Sequence, residues 1–163
     1  MQTFEKVLES SLKVRFHDCD PFNHLNNSRY IDYCLAARTD QLKDHYDFDI
    51  YQLAQTRRIG WVSALTQIAY LSPAWLAEEV IIQTQLIAFS SKSLVFEALM
   101  WNDNKTVVKS LMWAKLVHVD LATQKSCAHA EDLLKLFEQI VNPLADDNGF
   151  EQRVNNLKQS SRG

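Results

Sequence analysis

The stretch Val14-Arg15-Phe16-His17-Asp18-Cys19-Asp20-Pro21-Phe22-Asn23-His24-Leu25-Asn26-Asn27-Ser28-Arg29-Tyr30 decides how the chain is read, because the hydrophobic period changes within it. Upstream, over residues 10–16, polar and apolar residues alternate, with Leu12, Val14 and Phe16 on one face, as in a half-buried strand. The middle, residues 17–27, is dense in turn formers and titratable groups and reads as a loop. Downstream, over residues 27–46, the period is helical. Ile31, Cys34, Leu35, Arg38 and Leu42 share one face, and Arg29, Asp32, Asp40, Lys43 and Asp44 share the other. Asn26 or Asn27 supplies an N-cap for that helix. About twenty residues at helical rise span ~30 Å, enough to cross a small sheet from edge to edge.

Working outward, a polar break containing Arg57 and Arg58 leads into four extended segments. Residues 60–71 are rich in Trp, Val, Ile and Tyr, and residues 79–89 alternate. Residues 93–102 follow the tight polar stretch Ser90-Ser91-Lys92, and residues 106–121 are long, apolar and expected to carry a bend or bulge. Residues 131–141 are helical again through Leu133, Leu134, Phe137 and Ile140. Strand, long helix, four strands and short helix, with successive hairpins, predict an α+β domain over residues 1–141. Its antiparallel five-stranded sheet packs on the one long helix, and residues 142–163 follow as a polar C-terminal tail, either a loosely held helix or disordered. An apolar strand at 106–121, left as an open edge, would invite a second chain, which predicts a homodimer or homotetramer.

Composition narrows the function. The chain has 163 residues, 47% of them apolar, which fits one ordinary globular domain. Its formal charge of −3 offers no basic excess, so nucleic acid is not the expected partner. No apolar run is long enough for a membrane span or a signal peptide. The three cysteines, Cys19, Cys34 and Cys127, form no CxxC pair and fit a reducing, cytoplasmic compartment. Counted from Asp18, an EF-hand would need Gly where Asn23 stands and Glu where Arg29 stands, and no zinc spacing occurs, so no metal is expected.

The DxD-Pro of Asp18 to Pro21 and the HxNNxxY of His24 to Tyr30 resemble the hotdog-fold acyl-CoA thioesterases of the 4-hydroxybenzoyl-CoA thioesterase family. Further matches are Tyr70-Leu71-Ser72-Pro73-Ala74, Ser93-Leu94-Val95-Phe96-Glu97 and Val117-His118-Val119-Asp120, so the likeness covers roughly residues 8–138. The resemblance implies a sheet wrapped around a central helix, dimers or larger assemblies, and active sites at subunit contacts. It also implies hydrolysis of an acyl-CoA to free acid and coenzyme A, with coenzyme A part of the substrate and no separate cofactor.

By that resemblance Asp20 is the catalytic carboxylate, acting as nucleophile or as general base on water. Otherwise it is a turn-forming Asp before proline. His24 stands at the Asp–His separation of the acyl-carrier-protein thioesterases in the wider superfamily, although Phe22 replaces the Asn those enzymes carry. It either assists Asp20 or hydrogen-bonds the loop. Asn26 and Asn27 cap the helix, whose free N–H groups and positive dipole end would polarise the thioester carbonyl. Phe22, Tyr30 and Trp61, together with Tyr33, are bulky walls that suit a short- to medium-chain or aromatic acyl group. The phosphates of coenzyme A need exposed cations, for which Lys92 with Ser90 and Ser91, or Arg57 with Arg58, are the candidates. Cys19 lies among acids that disfavour a thiolate. Arg38, on the apolar helix face, needs a carboxylate such as Asp18 or a route to water. The other classes compatible with the scaffold are a non-catalytic acyl-CoA or acyl-carrier binding module and a hotdog dehydratase or hydratase.

Overall fold

The computed structural model describes residues 2–160. Strands β1 (Val7–Lys13), β2 (Ile59–Tyr70), β3 (Glu79–Phe89), β4 (Ser93–Asn102) and β5 (Val108–Asp120) form an antiparallel sheet in the order β1-β3-β4-β5-β2. A two-residue strand, β6 (Lys125–Ser126), adds to β5. Helix α1 (Tyr30–Tyr46) lies across the inner face of the sheet. Between them Val14, Leu25, Tyr30, Cys34, Ala37, Val80, Ile82, Phe96, Ala98, Met100 and Met112 form the main core. This is the hotdog architecture.

Local chemistry explains where the elements stop. Asn26 caps the lead-in turn Asn27–Arg29 by accepting from the Ser28 N–H, as its capping role requires. At the other end of α1, Asp47 adopts a left-handed conformation (φ 52°) and its N–H returns to the Leu42 and Lys43 carbonyls. The buried face of α1 is rotated from the expected one. Cys34 and Arg38 are buried as predicted, but Tyr30, Ala37 and Gln41 join them, while Ile31, Leu35 and Leu42 are only half-buried. Small side chains let the helix approach the sheet, and the leucines flank that contact.

Three further expectations are corrected. β1 starts at Val7 and ends at Lys13, so the inward set is Leu8, Ser10 and Leu12. Phe16 falls in a 3₁₀ turn (Phe16–Asp18) and is exposed. A short helix, α2 (Ile50–Thr56), capped by Asp49, precedes Arg57 and Arg58 where the sequence showed only a polar break. The long apolar strand β5 is no edge: β4 and β2 flank it, which is why its residues can be apolar on both faces. The edges are β1 and β2, and on β2 Val62, Leu65 and Tyr70 are exposed.

The expected irregularity in β5 occurs at Lys109, where Met100 pairs with Ser110 but Trp101 with Val108. Helix α3 (Glu131–Ile140) closes a second cluster with Phe137 and Ile140 against Leu8, Tyr46, Phe48 and Leu86. Residues 150–160 of the expected tail form α4 (Phe150–Ser160), which lays Phe150, Val154 and Leu157 on Leu99, Val108 and Leu111. None of the helices is long and apolar enough to cross a membrane among the described residues.

Candidate active site

Asp20 sits at the neck of a small hairpin between β1 and α1. Cys19 bridges Leu25, the Asp20 N–H donates to the His24 carbonyl at 2.8 Å, and the Asn23 N–H donates to the Asp20 carbonyl at 3.1 Å. Pro21 suits the first corner of this turn, and Asn23 tolerates its left-handed φ of 63°. The Asp20 carboxylate is divided in its duties. Oδ1 accepts from the Phe22 N–H (2.9 Å) and the His24 N–H (3.2 Å), which is the ordinary turn-forming role of Asp. Oδ2 takes no hydrogen bond from the described residues.

Asp20 lines a cleft of about 220 Å³ together with His24, Leu25, Asn27, Tyr30 and residues 70–73. The far wall is held from several sides. Leu25 N–H donates to the Ala74 carbonyl at 2.7 Å, Ala74 N–H to the Tyr30 hydroxyl at 3.2 Å, and the Tyr70 hydroxyl to the Asn27 carbonyl at 2.9 Å. The bulge at Lys109 turns its carbonyl to the Leu71 and Ser72 N–H groups. The Lys109 ammonium, nearly buried, bonds the Pro73 carbonyl (2.9 Å) and Glu78 (2.9 Å). Glu78 in turn accepts from the Trp75 N–H. The imidazole of His24 packs edge-on to Trp75, 4.3 Å between centroids, and makes no hydrogen bond to the described residues.

Asn27 and Tyr30, at the start of α1, line the same cleft as Asp20, and the Asn27 N–H is not consumed by the turn, so the positive end of a long helix borders the cleft. A carboxylate oxygen, an imidazole and backbone donors around one small space are the parts needed to attack a carbonyl and hold its developing negative charge. Asp18 has a different duty: its Oδ2 accepts from the Tyr33 hydroxyl at 2.5 Å, with Arg29 nearby at 3.7 Å, tying the loop to α1. Burial and that carboxylate push the Tyr33 hydroxyl up to about 12. Tyr33 is a brace and not the pocket wall expected. Burial, then Asp20 and Asp18, push the Cys19 thiol up, away from thiolate chemistry.

Other expected site residues lie elsewhere. Phe22 is at the tip of the hairpin and 76% exposed, because the three-residue turn points it outward. Trp61 stands at the opposite end of β2 from Tyr70, ~30 Å away along a nine-residue rise. There its indole N–H donates to His129 at 3.0 Å, and it lines a second, apolar cavity of about 440 Å³ between the C-terminal half of α1, β2 and α3. Ser90, Ser91 and Lys92 share that far end. The Ser90 hydroxyl is engaged with the Lys92 and Ser93 N–H groups and the Ser93 hydroxyl, the Ser91 carbonyl with His129, and the Lys92 carbonyl with His118. Arg57 is held by Asp132 at 2.7 and 3.1 Å, and is not a free cation. Arg58 adopts a left-handed backbone (φ 54°) and is exposed. The motif at 14–30 gave no sign of Lys109, Glu78 or Trp75; only the match at 70–74 pointed to that wall.

The fold and the cleft at the start of α1 define a hotdog-fold thioester hydrolase. Over residues 14–137 the sequence matches the thioesterase-like superfamily, and the chain belongs to it. It is 29% identical over 134 residues to the long-chain acyl-CoA thioesterase FadM of Escherichia coli strain K12, covering 82% of this chain and 99% of that protein. It is 25% identical over 128 residues to the acyl-CoA thioester hydrolase YbgC of Escherichia coli O157:H7, covering 78% and 93%. Among solved structures, the probable thioesterase YbaW of Escherichia coli matches with a TM-score of 0.70 at 29% identity, over 82% of this chain and 98% of that one. The DHNA-CoA thioesterase of Staphylococcus aureus shares the fold, with a TM-score of 0.73 at 14% identity over 94% of each chain.

Proposed function

We propose that the protein hydrolyses acyl-CoA thioesters of short- to medium-length or aromatic acyl groups, with Asp20 as nucleophile or general base. The observation that carries this reading is the uncommitted Oδ2 of Asp20 in the same cleft as Asn27 and the start of α1. In the nucleophilic route Oδ2 bonds to the carbonyl carbon, coenzyme A leaves as thiolate, and water opens the resulting anhydride. In the other route Asp20 takes a proton from the water that attacks. In both, the Asn27 N–H and the helix dipole stabilise the oxyanion, and His24, which lines the same cleft, assists proton movement.

The apolar cavity lined by Leu35, Leu42, Phe48, Leu86 and Leu94 supports the acyl assignment, since about 440 Å³ falls in the usual range for small-molecule sites. The relatives named as acyl-CoA hydrolases support coenzyme A as the carrier. The exposed apolar edge of β2 supports a homodimer formed along that strand. Such a two-fold pairing would bring one protomer's Lys92 and Arg58 end toward the partner's Asp20 end, which restores both as candidates for the coenzyme A phosphates. Thiol release from saturated acyl-CoA substrates of four to sixteen carbons tests the reading. A specificity constant that peaks and then falls agrees with it. A steady rise to sixteen overturns the medium-length assignment, and no thiol at any length overturns the activity.

A further inference from the structure

Arg38 is the one strongly polar side chain among the leucines and aromatics that line the apolar cavity, and it is only 6% exposed. Neither expectation for it holds: Asp18 is committed to Tyr33 and Arg29, and the guanidinium does not reach water as a surface group does. Its Nη1 donates to the Thr84 hydroxyl at 2.9 Å, the Tyr46 hydroxyl lies beside it, and its Cζ stands 5.8 Å from the centre of the Phe96 ring. The Thr84 hydroxyl in turn donates to Gln41 Oε1 at 2.5 Å, and Gln41 Nε2 donates to the Ser10 hydroxyl and the Ile82 carbonyl. The neutral partners are therefore locked in place. No carboxylate among the described residues pairs with this cation, and burial lowers it only to about 10, so it is charged at neutral pH.

A buried charge with no counter-charge is costly, and an anionic or hydrogen-bonding oxygen brought to it by a ligand would offset that cost. The fork of a guanidinium has five N–H donors, of which the Thr84 hydroxyl takes one and the Tyr46 hydroxyl another. We propose that Arg38 recognises an oxygen carried on the acyl chain itself, a terminal carboxylate or hydroxyl, so that the substrate class is oxygenated medium-chain acyl-CoA. This rests on the thioesterase reading above. Arg38 follows Tyr30 by eight residues, ~12 Å along α1. That is about ten bonds of extended chain at the ~1.2 Å per bond of an extended backbone. The cleft at Asp20 and the apolar cavity share no lining residue, so a chain of that length reaches Arg38 with its far oxygen by parting the packing around Cys34 and Ala37.

The test compares decanoyl-CoA, 10-hydroxydecanoyl-CoA and the mono-CoA thioester of decanedioic acid with the wild-type protein, Arg38→Met and Arg38→Lys. A charge-assisted hydrogen bond predicts that wild type favours the oxygenated chains by about ten- to hundred-fold in kcat/KM. Arg38→Met collapses that ratio to near one and Arg38→Lys restores part of it. Equal wild-type rates for all three, or an Arg38→Met loss that is the same factor for every substrate, overturn the proposal. Calorimetry of free decanedioate against decanoate on wild type keeps it testable if the variants do not fold. Equal affinity refutes it, and tighter decanedioate binding supports it even where no ester is hydrolysed, which separates failure of this inference from failure of the thioesterase reading.

Discussion

Arg153→Met on α4 perturbs the most buried ion pair in the structure. Glu97, 1% exposed in the middle of β4, accepts from Arg153 at 2.9 and 2.8 Å, from Trp113 Nε1 at 2.8 Å and from Gln85 Nε2 at 3.0 Å. Removing one partner of a buried pair commonly costs ~3–5 kcal/mol. Two things reduce that here: Trp113 and Gln85 remain as donors, and α4 can lift away and let water reach Glu97. Its half-buried Phe150, Val154 and Leu157 hold it with only ~3–4 kcal/mol, taking half of full burial for each. The expected loss is therefore about 2–4 kcal/mol, a fall in Tm of about 5–15 °C at ~2–4 °C per kcal/mol for this chain length. Urea denaturation of wild type, Arg153→Met, Glu97→Gln and the double variant measures it. The double variant should recover most of the loss, because no buried charge is left. A single-variant loss below ~1 kcal/mol, or strictly additive effects in the cycle, would refute the account of α4 as a charge-clamped cover.

Three further outcomes are expected. His129 accepts from Trp61 on Nε2 and is bonded through Nδ1 to the Ser90 carbonyl, so it is satisfied as the neutral ring, and burial lowers it below its ordinary 6.5. With the folded value depressed, the unfolded chain takes the proton first. Stability then falls as pH drops below ~6.5, by at most ~1.4 kcal/mol per unit, and levels off below the folded value. The wild-type difference between pH 7.5 and 5.5 should shrink in His129→Gln, and parallel curves would contradict this. Leu65→Lys on the open β2 edge should convert a species of twice 18.8 kDa into monomer by light scattering, whereas a wild-type monomer at micromolar concentration would remove the proposed dimer. Lys109→Met frees the wall of the cleft at Pro73 and should lower kcat/KM about ten- to hundred-fold with kcat falling more than KM changes, while Lys109→Arg keeps part of it. Unchanged kinetics in Lys109→Met would make the brace irrelevant to the site.

Periodicity made most of the fold legible. β3 and β4 begin and end at the expected residues, and α1 and α3 are displaced by no more than a turn. Strand order was not legible, because an apolar run looks alike whether it is an exposed edge or a strand covered on both sides. The composition of β5 suits either, and β4 and β2 flank it. The loop around Asp20 was legible through its residue types, since Pro21 and Asn23 mark a turn and Asn26 a cap. Which side chains share a cavity was not. Trp61 and Tyr70 are neighbours in sequence terms, yet a strand carries them to opposite ends of the molecule. Arg57 reads as free until α3 brings Asp132 to it. Lys109, Glu78 and Arg38 act only through partners far along the chain, and no local pattern encodes them.

In the proposed mechanism the free oxygen of Asp20 performs the chemistry. Thiol release from decanoyl-CoA by wild type and Asp20→Asn tests it most directly, since Asn keeps the Oδ1 contacts to the Phe22 and His24 N–H groups while removing the charge. The expected result is a fall in kcat of about a hundred-fold or more with the thermal midpoint nearly unchanged. Equal rates for the two proteins would contradict it.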